Sequence, residues 1–571
     1  MNLLGNFSHC HGKRLLKFLS GWALLMGLVV LPVDAQIHDP LALKADPASA
    51  DQPIAPLLTG LGDHHFPVTT SVARSQTYFD QGLRLTLGFN HSEALRSFKE
   101  AARLDPENAM AYWGMALVLG PNLNLPMQAS VVPQAYDAIQ QALALKQRVS
   151  AREQAYIDAL AVRYSPTPEA DRAPLDRDYA SAMKRVMERF PDDPDAATLY
   201  VAAVMNTNPW DYWYRDGTPK PGTEAILSTL QAVLKDNPNH PGALHYMIHL
   251  VEAFRPELGV DSADRLGTLM PGAGHLVHMP AHIYMRVGRY GDSYNANVKA
   301  ILADEGYITQ CRAQGLYPLG YYPHNIHFLA WSAMFQGRSK EALSAARKVA
   351  GKIPDYLQEN TWGLNETFIS QPMFVMVRFG LWDDMLNEPQ PPAGARFLNG
   401  IWHYGRGMAR VHNNQIHQSK KELKALQRLQ NEVTHDENYY VGFGAASTLL
   451  NIAKEVLAGE IEAKQKNYDT AIAHLSRAVR LEDGLMYNEP PDWYFPVRHI
   501  LGAVLLDAQH PAEAEVVYWE DLRRNPMNGY SLFGLQLALK AQNKTSVHKE
   551  IEQRFQQAWQ QADVTLSSSR F

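Results

Sequence analysis

The chain has 571 residues, of which 46% are hydrophobic and 10% aromatic, and its 53 basic and 59 acidic side chains give a formal charge of −6. That apolar content excludes disorder along its length, and a mildly acidic balance argues against nucleic acid as the main partner. With two cysteines, Cys10 and Cys311, a cysteine-rich metal site is excluded as well.

Residues 1–35 read as a secretory signal. Lys13, Arg14 and Lys17 make a basic start, Phe18 to Leu31 is an apolar run short for a membrane span, and Val33, Asp34 and Ala35 offer a small-residue cleavage site before Gln36. Cleavage after Ala35 removes three cations and one carboxylate, which takes the formal charge from −6 to −8. It also leaves Cys311 alone, so no intrachain disulfide can form. The competing reading is an uncleaved anchor. The mature protein is expected to be periplasmic or secreted, with no membrane span left after cleavage. Residues 36–72, rich in Pro, Ala and Asp without a sustained apolar period, are expected to be an irregular leader.

Beyond the leader the chain repeats. Counting Ser75 of SQTYFDQGLRLTLGFNHSEALRSFKEAARLDPEN as position 1, Gly82 falls at 8, Ala94 at 20, Phe98 at 24, Ala101 at 27 and Pro106 at 32. The frame from Phe495 places Gly502, Ala514, Tyr518 and Pro526 at 8, 20, 24 and 32. From Pro323, Ala330, Gly337, Ala342 and Pro354 fall at 8, 15, 20 and 32; from Ile452, Gly459, Ala471 and Ala478 fall at 8, 20 and 27. Weaker units start near Asp195, Pro241, Gly274 and Asn399. The pattern resembles the 34-residue tetratricopeptide repeat, in which small residues let two antiparallel helices approach and a proline ends the second. It is similar to that of exported bacterial tetratricopeptide-repeat (TPR) proteins, most clearly over Pro490–Ala508 and Pro511–Leu535. The resemblance implies an all-α solenoid whose concave groove binds a protein or peptide. The expected division is an N-terminal solenoid over 73–360 and a C-terminal one over 361–565. A non-repetitive helical protein with chance matches is the alternative.

Five histidines fall in two stretches, HYMIHLVEA (His245 to Ala253) and AGHLVHMPAHIYM (Ala273 to Met285). On the repeat frames, His245, His249 and Glu252 take positions 5, 9 and 12, and His275, His278 and His282 take 2, 5 and 9. Spacings of three, four and seven stack side chains on one helix face. The resemblance further implies that positions 2, 5, 9 and 12 of each first helix line the groove. A histidine pair at i and i+4 rises about 6 Å, which suits one ion. The candidate metal ligands are therefore His245, His249, His278 and His282, with His327 and Glu252 completing or orienting the site. His275, His324, His403 and His499 are expected to line the same groove.

Imidazole suits zinc, copper, nickel or iron. Met247, Met279 and Met285 would favour copper, although methionine at helical spacing is more often core. A metal-independent groove for a peptide or small molecule is the second reading, and an open-coordination metal enzyme acting on a small exported substrate the third. Protease chemistry is unsupported, because HYMIH carries Tyr246 where zinc proteases carry a glutamate base. HLVE reverses the order of di-iron motifs, and no phosphate-binding loop or nucleophile elbow is present. Two aromatic loops, Asn208–Gly217 and Asn488–Pro496, either fill gaps between repeats or wall the histidines.

Overall fold

In this computed structural model, residues 53–311, 317–353 and 364–571 are described. The expected signal with its cleavage point at Ala35, and Pro354 of the third repeat frame, lie outside them. The protein is all α. Among the described residues the strands are the two-residue pair Tyr440–Val441 and Gly444–Ala445, joined antiparallel.

The repeat period becomes helix pairing. Helix Ala73–Leu87 turns at Gly88 into His91–Leu104, Ala446–Lys464 returns as Tyr468–Asp483, and Arg498–Asp507 returns as Pro511–Arg524. Position 8 meets position 24 in all three. A Cβ built on Gly82 would lie 2.7 Å from the Phe98 ring, one on Gly502 2.4 Å from Tyr518, and one on Gly459 2.8 Å from Leu475. Carbon atoms need about 3.5 Å or more, so the ring and branched side chains seat directly on bare backbone. This contact is why the sequence repeats, and it makes the chain a tetratricopeptide-type solenoid.

The chain forms two compact units, one of residues 1–283 and 299–322, the other of 284–298 and 323–571. The division by contacts is interleaved, with crossings at 283/284, 298/299 and 322/323, and is distinct from the repeat-based boundary expected at 360/361.

In the first unit, residues 53–72 run without regular structure against the first helix pair. The Leu58 amide donates to Gln81 Oε1 (2.8 Å) and the Tyr78 hydroxyl to the Ala55 carbonyl (3.1 Å). Phe66 is fully buried among Phe79, Trp113 and Tyr156. Further on, helix Pro241–Val251 carries the first histidine stretch. Its start is fixed by His240, whose Nδ1 accepts from the Ala243 amide (3.1 Å), and by Pro241 at the first helical position. The second stretch spans a break, Gly274–His278 followed by Pro280–Arg286. Pro280 has no amide proton to continue the ladder, so the helix restarts there.

In the second unit, glycines again admit neighbours. Gly400 and Gly407, seven residues apart on Arg396–His412, face Leu450 and Leu457 of Ala446–Lys464, each at 2.5 Å from a built Cβ. The loop Asn488–Pro496 packs inward here. Trp493 and Tyr494 are buried against Phe374 and Tyr404, with the two tyrosine hydroxyls 3.1 Å apart. It fills a gap between helices. No helix among the described residues is long and apolar enough to cross a membrane.

Candidate metal centre

Helix Pro241–Val251 buries every one of its residues, so both its histidines face protein. His245 is fully buried and His249 is 3% exposed. One turn apart, their rings have centroids 4.7 Å apart. His275, at the start of the next first helix, joins them with centroids 5.0 Å from His245 and 6.1 Å from His249. One ring nitrogen from each of the three lies within 4.8 Å of the others. At metal–nitrogen bonds of 2.0 to 2.1 Å, two ligand atoms of one ion are at most about 4.2 Å apart. The three rings are thus close enough to be a candidate for holding one ion.

The outward nitrogens set the tautomers. His245 Nδ1 lies 2.7 Å from the Leu87 carbonyl, which can only accept, so Nδ1 carries the proton and Nε2 the lone pair. Leu87 ends its helix, and its carbonyl is one of the last-turn acceptors left without an intrahelical donor. His249 Nδ1 lies 3.2 Å from Glu252 Oε1, which fixes the same tautomer. His245 Nε2 and His249 Nε2 are buried and have no hydrogen-bond partner. Burial, then the charge that His249 would carry, holds His245 well below the ordinary histidine range; burial, then His282, does the same to His249. Both rings are neutral, as ligands must be.

The walls are aromatic. Phe89 stacks on His249 at 5.7 Å and on His275 at 5.4 Å, and lies 4.5 Å from His245. Trp210 meets His249 edge-on at 5.0 Å, and Tyr321 lies 4.7 Å from His275. The loop Asn208–Gly217 thus walls the histidines, held by Trp210 Nε1 on the Leu123 carbonyl (3.2 Å) and Trp213 Nε1 on the Leu250 carbonyl (2.6 Å).

Glu252, fully buried, joins this group to the other two expected ligands. Its Oε1 faces His249 and its Oε2 lies 3.3 Å from His282 Nδ1. His282 Nε2 in turn lies 3.0 Å from His278 Nε2. His278 and His282 border the three-nitrogen group, with ring centroids 6.3 Å from His275 and from His249 respectively. Of the set expected from spacing, His245 and His249 group with His275, and His278 and His282 lie beside each other.

The remaining candidates occupy other settings. His327 is buried edge-on against Phe368, where burial pushes it down to about 4. His324 packs on Phe328. His403 Nδ1 bonds Glu422 (2.6 Å), which Arg406 also reaches. His499 sits between Arg378, whose Nη2 is 3.0 Å from its Nδ1, and Asp521, 2.9 Å from its Nε2. These last two have both their geometry and their partners explained by local polar networks.

A second His-carboxylate group went unread in the sequence. His64 Nε2 (2.9 Å) and His240 Nε2 (3.3 Å) share Asp195 Oδ1. Their hydrogen bonds hold the Asp195 carboxyl below its usual range against burial, which alone would raise it, and Asp195 in turn raises His64. His240 has no lone pair to spare, since its Nδ1 caps the helix and its Nε2 donates to Asp195. This group is a structural clamp at the start of the helix that carries His245 and His249.

No family model and no curated protein matches the chain. Among solved structures it is similar to the human IFIT1 dimer with m7Gppp-AAAA (TM-score 0.30, 13% identity, covering 87% of this chain and 92% of that one). It is also similar to yeast Tom70 (TM-score 0.25, 15% identity, 86% and 92%) and to the TPR domain of P58(IPK) (TM-score 0.21, 11% identity, 83% and 99%). The helix pairing itself, rather than these distant likenesses, identifies the all-α tetratricopeptide-type architecture.

Proposed function

We propose that the chain is an exported helical-repeat binding scaffold for a protein or peptide, built around a transition-metal centre in its first unit. His245 Nε2, His249 Nε2 and a ring nitrogen of His275 are its ligands. One observation carries the reading: two adjacent buried imidazole lone pairs lack a protein donor while the opposite nitrogens are pinned by Leu87 and Glu252. An unmet buried acceptor costs about 1 to 3 kcal/mol, and a shared ion relieves both. Pinning of the distal nitrogen by a carbonyl and a carboxylate is how histidine ligands are ordinarily oriented. Three neutral imidazoles suit zinc, copper or iron, and a fourth position would stay available to a small ligand. If the amino-terminal segment is a signal, loading follows export.

The test is metal content of the untagged mature protein after equilibration with zinc or copper and removal of excess ion. Stoichiometric metal is expected in the parent and in His403→Ala, with loss in His245→Ala and His249→Ala. Parent protein that stays metal-free, or a His245→Ala/His249→Ala double variant that keeps the parent's metal, would sink the proposal.

A further inference from the structure

The second unit carries a feature unrelated to the histidines. After helix Thr545–Ala558, the chain runs back without regular structure to Phe571. Asp563 anchors the run: its two carboxylate oxygens accept from the Ser339 (2.7 Å) and Lys340 (3.1 Å) amides, and its own amide donates to the Gly337 carbonyl (3.0 Å). It thereby caps helix Ser339–Ala350, whose own cap residue, Arg338, supplies no side-chain bond.

Beyond the anchor, three consecutive residues of different chemistry dock on neighbouring helices and their ends. Ser569, 1% exposed, donates to the His499 carbonyl (2.7 Å) and lies 2.7 Å from the Tyr518 hydroxyl. Arg570 pairs with Glu460 on helix Ala446–Lys464 and with Asp507 on Arg498–Asp507, the latter at 2.6 Å. Phe571 lies against Gly380, where a built Cβ would come within 2.8 Å of it, and beside Phe379 and Tyr530. Glu460 is buried, and its Oε1 has no hydrogen-bond partner even with Arg570 in place. Thr565 and Ser567, between anchor and dock, are exposed.

We propose that Val564–Phe571 is a tethered occupant of a peptide-binding face on the second unit, displaced by a partner segment that carries serine, arginine and an aromatic residue in sequence. The face reads each with a separate group: a backbone carbonyl with a tyrosine hydroxyl, one buried carboxylate (Glu460) beside an exposed one (Asp507), and an aromatic slot floored by glycine. Leu566 is buried and Phe571 fills an apolar slot, while Ser569 and Arg570 supply the directional polar contacts. Asp563 holds the chain ahead of this segment, whose bond to the preceding turn runs from Trp559 Nε1 to the Val564 carbonyl (2.9 Å).

A labelled peptide with the sequence of Thr565–Phe571 tests this, offered to the full chain and to a variant ending at Asp563. Saturable binding is expected for the truncated chain, roughly tenfold or more weaker for the full chain, where the tether competes, and lost on Glu460→Gln with Asp507→Asn. On the intact protein, excess peptide should speed hydrogen exchange of residues 564–571 while helix Thr545–Ala558 stays protected. A folded truncated chain that binds no peptide overturns the proposal. If truncation unfolds the chain, the exchange measurement decides alone, and unchanged exchange overturns it.

Discussion

Glu252 shows how one side chain can set the chemistry of several. Its carboxylate faces Nδ1 of both His249 and His282, so it fixes which nitrogen of His249 is left to bind. Glu252→Gln keeps the shape but can present an amide donor to His249 Nδ1, which then favours the tautomer with its proton on Nε2. Metal affinity should fall about 10- to 100-fold, as for other groups that orient ligands, with the melting temperature of the metal-free protein changing less than in His245→Ala. Equal affinity in parent and variant, measured by competition with a chelator, would show that Glu252 does not orient the site. The sequence made His245, His249 and Glu252 legible, because i, i+4 and i+7 spacing is a property of one helix. It concealed the Leu87 carbonyl and Phe89, which arrive from more than 150 residues away. His278 and His282 keep their i, i+4 contact across Pro280, with ring centroids 4.8 Å apart.

At the scale of helix pairs the same substitution should act with opposite sign at two glycines. Gly502→Ala drives a methyl to 2.4 Å from the Tyr518 ring, and Tyr518 is fully buried with Gly534 on its other side. Overpacking of this kind costs about 1 to 3 kcal/mol. Gly306 lies on the exposed side of helix Tyr290–Cys311, where a methyl would meet nothing within 4 Å. There alanine should stabilise by up to about 1 kcal/mol through helix propensity alone. Urea unfolding of both variants checks the pair, and a loss of stability at Gly306 comparable to that at Gly502 would refute the packing account. Position 8 was readable from spacing in three frames because one close contact recurs. The clamp of His64, His240 and Asp195 was not, because no period links residues 131 and 45 apart.

For the molecule as a whole, the two units should answer to different perturbations. A 34-residue period carries no mark of where one unit ends, and helix Tyr290–Cys311 contributes its first residues to one unit and the rest to the other. A ligand that binds only the folded first unit stabilises it by mass action, about 2.7 kcal/mol at a hundred times its dissociation constant. The second unit holds His327, which burial pushes down to about 4. Its folded value lies below the ordinary 6.5, so as pH falls the unfolded chain takes up the proton first. Stability is then lost from about pH 6.5 downward and levels off below 4, at about 1.4 kcal/mol per unit, or roughly 2 kcal/mol by pH 5. His327→Gln should flatten that slope and leave the response to zinc intact, while His249→Ala should abolish the response to zinc and leave the His327 slope. Unfolding curves at pH 7 and 5, with and without zinc, separate the cases. If His327→Gln also removed the zinc response, the metal centre would not be confined to the histidines of the first unit.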